Sequence, residues 1–113
     1  MLILVDSSIW IDLFSKKPTC QMSEQDLERV ASCPPIIQEI IQGISDDQVR
    51  AELKTRFLSL PNLANPLETT DYLTAAELFT LARKKGHTIR SSTDCLIAAI
   101  ALRNNVALSL IHI

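Results

Sequence analysis

The chain has 113 residues, of which 47% are hydrophobic and 21% are charged, and its formal net charge is −2. A chain of this length and composition can build the core of one domain, which excludes a disordered or fibrous protein. The acidic balance excludes a protein that coats nucleic acid through bulk positive charge. It remains compatible with a nuclease, whose site must itself be acidic to hold metal ions.

Neither a membrane span nor an export signal is expected. The apolar run at positions 1–5 is far shorter than the roughly 20 residues of a membrane helix, and it lacks the basic flank of a secretory signal. Cys20, Cys33 and Cys95 are odd in number and have no Cys-x-x-Cys spacing, so we expect neither a disulfide framework nor a zinc site. We therefore expect a soluble protein of the reducing cytoplasm, with one domain over residues 1–113.

The first half of the chain predicts two strands among four helices. An apolar run at residues 2–5 is typical of a buried strand, and helical apolar spacing follows over 8–15. The spacing of Ser23 and Asp26 indicates a capping box for a short helix over 22–30. A brief strand is expected within 29–33. Pro34 and Pro35 favour the start of a helix that ends near Gly43, and a further helix is expected over 46–60.

The second half continues the alternation. Residues 61–66 form a turn-rich break in which we expect a short third strand. The longest periodic segment predicts a helix over 70–85. Its residues expected to face the core are Leu73, Ala76, Leu78, Phe79, Leu81 and Ala82. A strongly apolar helix is expected over 91–104 and a final strand over 106–111. Strands alternating with helices predict an α/β domain with a parallel sheet.

Three carboxylates occupy the starts or ends of these elements. Asp6 directly follows the first strand, where sites form in parallel sheets, although it could simply cap the next helix. Glu39 lies between isoleucine pairs in a helix, either as a functional group or as part of a solvated stripe. Asp94 falls in the first turn of the apolar helix, where a carboxylate also suits the helix dipole.

Together, these carboxylates could converge on a divalent cation. Mg²⁺ and Mn²⁺ prefer carboxylate and water oxygens, whereas zinc prefers nitrogen and sulfur. His87 and His112 are too few and too scattered to indicate a zinc site.

Three segments in series resemble the PIN-domain family, and in particular its VapC-type ribonuclease toxins of toxin–antitoxin modules. They are V-D-S-S-I-W-I-D, P-P-I-I-Q-E-I-I-Q-G and I-R-S-S-T-D-C-L-I-A-A-I-A-L. The resemblance covers essentially the whole chain. It implies a three-layer α/β/α sandwich with a central, mostly parallel sheet.

The resemblance also implies an activity. The chain would be a Mg²⁺- or Mn²⁺-dependent endoribonuclease that cleaves RNA phosphodiester bonds, with Asp6, Glu39 and Asp94 as its catalytic and metal-binding residues. Ser7 or Ser8 matches the hydroxyl that commonly follows the first aspartate and could orient that carboxylate. The implied partners are a cognate antitoxin and a second copy of the chain in a homodimer.

One departure from the family is expected. VapC-type toxins continue after a strand like A-L-S-L-I-H into a D-x-D-F segment that carries a fourth acidic residue, and this sequence stops at Ile113. Either the sequence has been shortened or the protein is a degenerate member of the family. An alternative hypothesis is therefore a catalytically impaired PIN-like module that only binds an antitoxin-type partner. A third hypothesis, phosphoryl transfer through Asp6, is weaker because the D-x-D pattern it needs has Ser8 at its second acidic position.

Two surfaces are predicted to meet these partners. The basic residues around Gly86, namely Arg83, Lys84, Lys85 and Arg90, could guide an RNA backbone, or could be a solvated helix end favoured by the dipole. An antitoxin tail is expected to enter the acidic groove through a cationic side chain and to lie on the helix that carries Ile9, Trp10 and Phe14. Trp10 could anchor that tail or belong to the core.

Overall fold

The computed structural model describes residues 2–13, 17, 23–87 and 92–109. Within these ranges, three strands and six helices follow one another along the chain. In order they are β1 (Ile3–Val5), α1 (Ser7–Leu13), α2 (Glu24–Glu28), β2 (Val30–Ala31), α3 (Pro34–Gln42), α4 (Asp47–Ser59), α5 (Thr69–Lys84), α6 (Ser92–Arg103) and β3 (Ala107–Ser109).

The described strands form one sheet in the order β2-β1-β3, with β1 at its centre. Both pairings are parallel: Ile3 lies opposite Val30 on one side and opposite Ala107 on the other. Parallel neighbours need crossover connections, which the helices supply. The predicted α/β fold with a parallel sheet is confirmed.

Local signals in the sequence set the predicted helix starts. The Ser23 hydroxyl accepts a hydrogen bond from the Asp26 amide at 3.1 Å, and the Asp26 carboxylate accepts one from the Ser23 amide at 3.3 Å. Pro34 begins α3, where a missing amide hydrogen costs nothing. The Asp46 carboxylate accepts a hydrogen bond from the Val49 amide at 2.9 Å and so caps α4.

The prediction of a strand within residues 61–66 was wrong about its length. Instead, a single parallel bridge joins Ser32 to Asn62. The Ser32 amide donates to the carbonyl of Pro61 and its carbonyl accepts from the Leu63 amide, both at 2.8 Å. Pro61 and Pro66 have no amide hydrogen to donate, so the ladder does not extend beyond this bridge.

The core lies between the sheet and the helices that cover it. Its most completely buried apolar side chains are Leu4, Val5, Ile36, Ile97 and Ile100. At the edge of this cluster, the ring of Trp10 meets the ring of Phe57 edge to face, with centroids 5.1 Å apart. This contact joins α1 to α4, and Trp10 is therefore a core residue. Of the two alternatives left open for Trp10, the structure favours the core over an anchor for an antitoxin tail.

The inward face of α5 agrees with the prediction in part. Leu78 and Phe79 pack inward as expected, but Leu73 is 59% exposed and Leu81 is 52% exposed, whereas Asp71 and Ala75 are buried. Helix α5 packs against α6 through small side chains, with Ala75 in one cluster with Cys95 and Ala99. Small residues allow two helices to approach closely, so the contact does not follow the row of leucines.

A buried ion pair completes the contact between α5 and α6. Asp71 is 1% exposed, and its carboxylate lies 2.7 Å from Nε of Arg103. The same carboxylate accepts a hydrogen bond from the Glu68 amide at 2.9 Å, while the Glu68 carboxylate lies 3.5 Å from Arg103. Asp71 thus both caps α5 and ties it to the end of α6.

Several predicted features fall outside the described residues: Phe14, Cys20, Arg90, His112 and the end of the last predicted strand. None of the described helices is long and apolar enough to cross a membrane.

Candidate active site

Asp6 lies at the carboxyl end of the central strand, in the turn that leads into α1. Its side chain is buried, with 8% of the residue exposed. Its carboxylate accepts hydrogen bonds from the Ser8 amide, at 3.3 Å, and from the Ser8 hydroxyl. Its carbonyl receives the amides of Ile9 and Trp10 at 3.1 and 3.3 Å. The residue therefore caps α1 and also presents a fixed carboxylate, so the two predicted roles are compatible.

Glu39 extends from α3 toward the same end of the sheet. Its side chain is half-buried, and its Oε1 accepts a hydrogen bond from the Ser7 hydroxyl at 3.1 Å. Ser7 itself is buried at the start of α1. The prediction gave one hydroxyl to Asp6. In the structure, Ser8 holds Asp6 while Ser7 holds Glu39.

Asp94 lies in the first turn of α6 and is exposed. The rest of that helix is buried through Cys95, Ile97 and Ile100, as the apolar sequence predicted. The buried body fixes the position of the turn, while the carboxylate remains open to solvent.

The carboxyl of Glu39 is influenced by the charges of both Asp6 and Asp94. Burial raises the pKa of Glu39, and the hydrogen bond from Ser7 partly opposes this rise. The negative charges of Asp6 and Asp94 raise the pKa of Glu39 further. Like charges held close together favour the protonated form of a carboxyl, so these surroundings favour protonation of Glu39.

Two buried thiols border the acidic residues. Burial raises the pKa of Cys33 to about 11, and the charge of Glu39 adds to the rise. Burial and the charge of Asp94 raise the pKa of Cys95. Both thiols are free and stay protonated at neutral pH. They are therefore buried packing residues.

The donor set fits a hard divalent cation by its chemistry. Asp6, Glu39 and Asp94 offer only carboxylate oxygens, which Mg²⁺ and Mn²⁺ prefer, and a cation would relieve the repulsion around Glu39. Across the described ranges, however, no three acidic, histidine or cysteine side chains are already gathered as a complete ligand set. The assignment of the three carboxylates as metal ligands stays a prediction.

The basic residues at the end of α5 lie apart from the carboxylates in the sequence. Arg83, Lys84 and Lys85 are all exposed. The guanidinium of Arg83 lies over the ring of Phe79, 5.8 Å from its centroid, which is within the range of a cation–π contact. Arg83 is thus the member of this group that has a defined position.

The pairing of Ser7 with Glu39 was missed because the two residues are 32 positions apart. The sequence did contain a signal for this pairing. Ser7 and Ser8 supply two hydroxyls, and because Asp6 needs only one of them, the other is available to a second carboxylate.

Comparison with known proteins identifies the class of this fold and site. The PIN-domain family matches residues 3–110, and the chain belongs to that family. Its curated relatives include VapC ribonuclease Mb1587 of Mycobacterium bovis and ribonuclease VapC11 of Mycobacterium tuberculosis. Each is 36% identical to this chain over 109 residues, which cover 91% of the chain and 81% of the relative. The predicted kinship with VapC ribonucleases is confirmed.

Solved structures show the same fold at low sequence identity. The VapBC-1 structure from nontypeable Haemophilus influenzae has a TM-score of 0.68 at 17% identity, covering 96% of this chain and 84% of the other. The VapBC2 structure from Rickettsia felis, bound to a promoter DNA fragment, has a TM-score of 0.66 at 18% identity, covering 96% and 85%. The FitAcB structure from Neisseria gonorrhoeae has a TM-score of 0.64 at 16% identity, covering 95% and 85%.

Proposed function

We propose that this chain is a Mg²⁺- or Mn²⁺-dependent endoribonuclease and the toxin of a toxin–antitoxin pair. The observation that carries the proposal is the half-buried Glu39 carboxylate. It accepts a hydrogen bond from Ser7, and the negative charges of Asp6 and Asp94 raise its pKa. The kinship with VapC ribonucleases supplies the reaction, which is cleavage of an RNA phosphodiester bond.

Asp6, Glu39 and Asp94 would hold the cation, directly or through water. When bound, the cation lowers the pKa of water for attack on phosphorus and neutralises charge on the leaving oxygen. Ser8 fixes the orientation of Asp6, and Ser7 fixes that of Glu39. One of these carboxylates would also accept the proton of the attacking water.

Replacement of single carboxylates tests this proposal. Asp6→Asn and Asp94→Asn should each reduce RNA cleavage by at least about 100-fold and weaken Mn²⁺ binding in calorimetry, with an unchanged circular dichroism spectrum. Asp47→Asn is the matched control, since the Asp47 side chain is 92% exposed on α4 and pairs only with a neighbour on the same helix. Wild-type rates of cleavage by a folded Asp6→Asn protein would refute the assignment.

We further propose that the chain binds an antitoxin and forms a homodimer in the cytoplasm. The support for the antitoxin is that solved VapBC complexes share its fold. Co-expression with the protein encoded next to it should yield a complex, and sedimentation should show a dimer in the absence of that protein. If no complex forms and the chain alone does not slow cell growth, the toxin assignment fails.

A second candidate function has one observation in its favour. The described residues hold no complete ligand set, which suits a catalytically impaired module that only binds an antitoxin-type partner. That function predicts partner binding with no RNA cleavage at any Mn²⁺ concentration. Cleavage that is lost in Asp6→Asn would exclude it.

A further inference from the structure

A pocket that none of the three carboxylates lines has no part in the mechanism above. It lies between α5 and the start of α6 and has a volume of about 420 Å³. Ala75 and Cys95, each 7% exposed, are its most buried lining residues. Its volume is within the usual range of small-ligand pockets, about 300–1,000 Å³.

One stripe of α5 supplies most of the chemistry of this pocket. Tyr72, Ala76 and Phe79 follow one another at spacings of four and three residues, which places them on the same helix face. Tyr72 is 54% exposed, so its ring is available to a ligand. Arg83 continues the stripe four residues beyond Phe79 and stacks on its ring. An aromatic ring, a small residue, a second ring and a cation therefore stand in a row.

The opposite wall of the pocket belongs to the helix turn that carries Asp94. Ser92, Thr93 and Cys95 all line the pocket. Asp94 belongs to the same helix turn but does not line the pocket. Any ligand that fills the pocket therefore sits within one helix turn of a predicted catalytic carboxylate. The hydroxyls of Ser92 and Thr93, with that of Thr80 across the pocket, can hydrogen-bond to the polar edge of a ligand.

The charge of the molecule narrows the choice of ligand. RNA is a polyanion, and both the acidic site and the net charge of −2 oppose its approach. Stacking of a base on an aromatic ring does not depend on net charge and can offset that repulsion. Proteins that recognise RNA commonly stack unpaired bases on aromatic side chains and bind their edges through hydrogen bonds.

We propose that this pocket receives one unpaired nucleobase of the RNA substrate, next to the phosphate that is cleaved at the acidic residues. Tyr72 stacks on the base, the hydroxyls of Thr80, Ser92 and Thr93 meet its edge, and Arg83 contacts a neighbouring phosphate. The pocket would thus position the RNA backbone relative to Asp94. This inference rests on the proposed ribonuclease function.

The test pairs a change in the protein with a change in the RNA. Binding of a fluorescein-labelled single-stranded oligoribonucleotide is measured by anisotropy in EDTA, and cleavage is measured separately with Mn²⁺. Tyr72→Leu keeps an apolar side chain but removes the ring, and should weaken binding by about 5- to 100-fold. In cleavage it should affect KM more than kcat. Tyr72→Phe should restore both. Leu73→Ala is the control, because Leu73 is equally exposed on α5 and does not line this pocket.

An oligonucleotide series with one abasic position then identifies the base. At one position, the abasic RNA should bind the wild-type protein as weakly as intact RNA binds Tyr72→Leu, and the two changes together should cost no more than either alone. If wild type binds and cleaves RNA and Tyr72→Leu does the same, the pocket proposal is wrong and the ribonuclease function stands. If Tyr72→Leu instead shifts the monomer–dimer equilibrium, the pocket belongs to a protein interface and the proposal is also wrong. If wild type neither binds nor cleaves RNA, both proposals fail.

Discussion

Two adjacent serines serve two different carboxylates at this site. Ser8 bonds to Asp6, two residues away, whereas Ser7 reaches Glu39 on another helix. Side chains that orient metal-binding groups affect metal affinity without touching the metal. The pair therefore lets one helix start fix the positions of two carboxylates at once.

Removal of the Ser7 hydroxyl should loosen Glu39. We expect Ser7→Ala to lower Mn²⁺ affinity by about 10- to 100-fold, measured by calorimetry at neutral pH, with the protein still folded. Ser59→Ala is the control, because the Ser59 hydroxyl bonds only to the carbonyl of Arg56 at the end of α4. Equal Mn²⁺ affinity in Ser7→Ala and wild type would show that the bond to Glu39 has no effect on the ligand set.

The raised pKa of Glu39 makes a prediction for the metal-free protein. A carboxyl whose pKa rises on folding stabilises the fold below its ordinary value of 4.5, and that contribution is lost as pH rises through the folded value. Glu39→Gln cannot ionise and keeps a partner for Ser7. In EDTA, its free energy of unfolding should therefore equal that of wild type near pH 4 and exceed it at pH 7.

Urea denaturation at the two pH values measures this difference. Glu77→Gln, at an exposed position on α5, should give the same difference from wild type at both. A Glu39→Gln protein less stable than wild type at pH 7 would contradict the electrostatic picture of the site. Since Glu39 is only partly buried, solvent screening keeps the expected gain small.

At the scale of helices, two start with the same local motif in different surroundings. Asp26 on α2 and Asp71 on α5 both accept a hydrogen bond from the backbone amide three residues earlier. Asp26 is at the surface, whereas Asp71 is 1% exposed and paired with Arg103. The motif near Asp71 therefore serves tertiary packing as well as helix capping.

Substitution of the two aspartates should separate these contributions. Asp26→Ala should lower the free energy of unfolding only slightly, because Asp26 is at the surface. Asp71→Ala should cost about 2 kcal/mol, because it removes the closer of two carboxylates that pair with Arg103 and leaves the Glu68 carboxylate at 3.5 Å. Thermal or urea unfolding checks both values. Equal costs would show that the ion pair adds nothing to the cap.

These helices also show what the sequence could predict. Helix starts follow from residues a few positions apart, and Ser23 with Asp26, Pro34 and Asp46 all marked theirs correctly. The inward face of α5 depends on α6, which provides Arg103 for Asp71 and small residues for Ala75. Apolar periodicity favoured Leu73 and Leu81 because it carries no information about that neighbour.

The predictions for the site separate in the same way, into those set by local sequence and those that depend on a distant segment. Position in the chain predicted Asp6, at the end of a buried strand, and Asp94, at the start of a buried helix. The link between Ser7 and Glu39 depends on how α1 and α3 meet, which local pattern does not contain. The pocket between α5 and α6 was hidden for the same reason, since its two walls are separate segments of the sequence.

At the scale of the whole molecule, the central strand joins the two ends of the described chain. Ile3 pairs with Val30 on one side and with Ala107 on the other. Both of these pairings close long stretches of chain, and long-range pairings form slowly because closing a long loop costs entropy. The pairing of β1 with β3 spans the longer stretch and is the slower of the two to form. The acidic site, at the end of β1, depends on that pairing.

That topology bears on the moment at which the protein becomes active during its own synthesis. Asp6 leaves the ribosome before Glu39, Asp94 and β3, and domains fold as their segments emerge. Until β3 has emerged, the strand that carries Asp6 lacks one of the two neighbours it has in the described sheet. The proposed set of three carboxylates is therefore incomplete until Asp94 has been synthesised, so the messenger RNA being translated does not meet a finished site before that point.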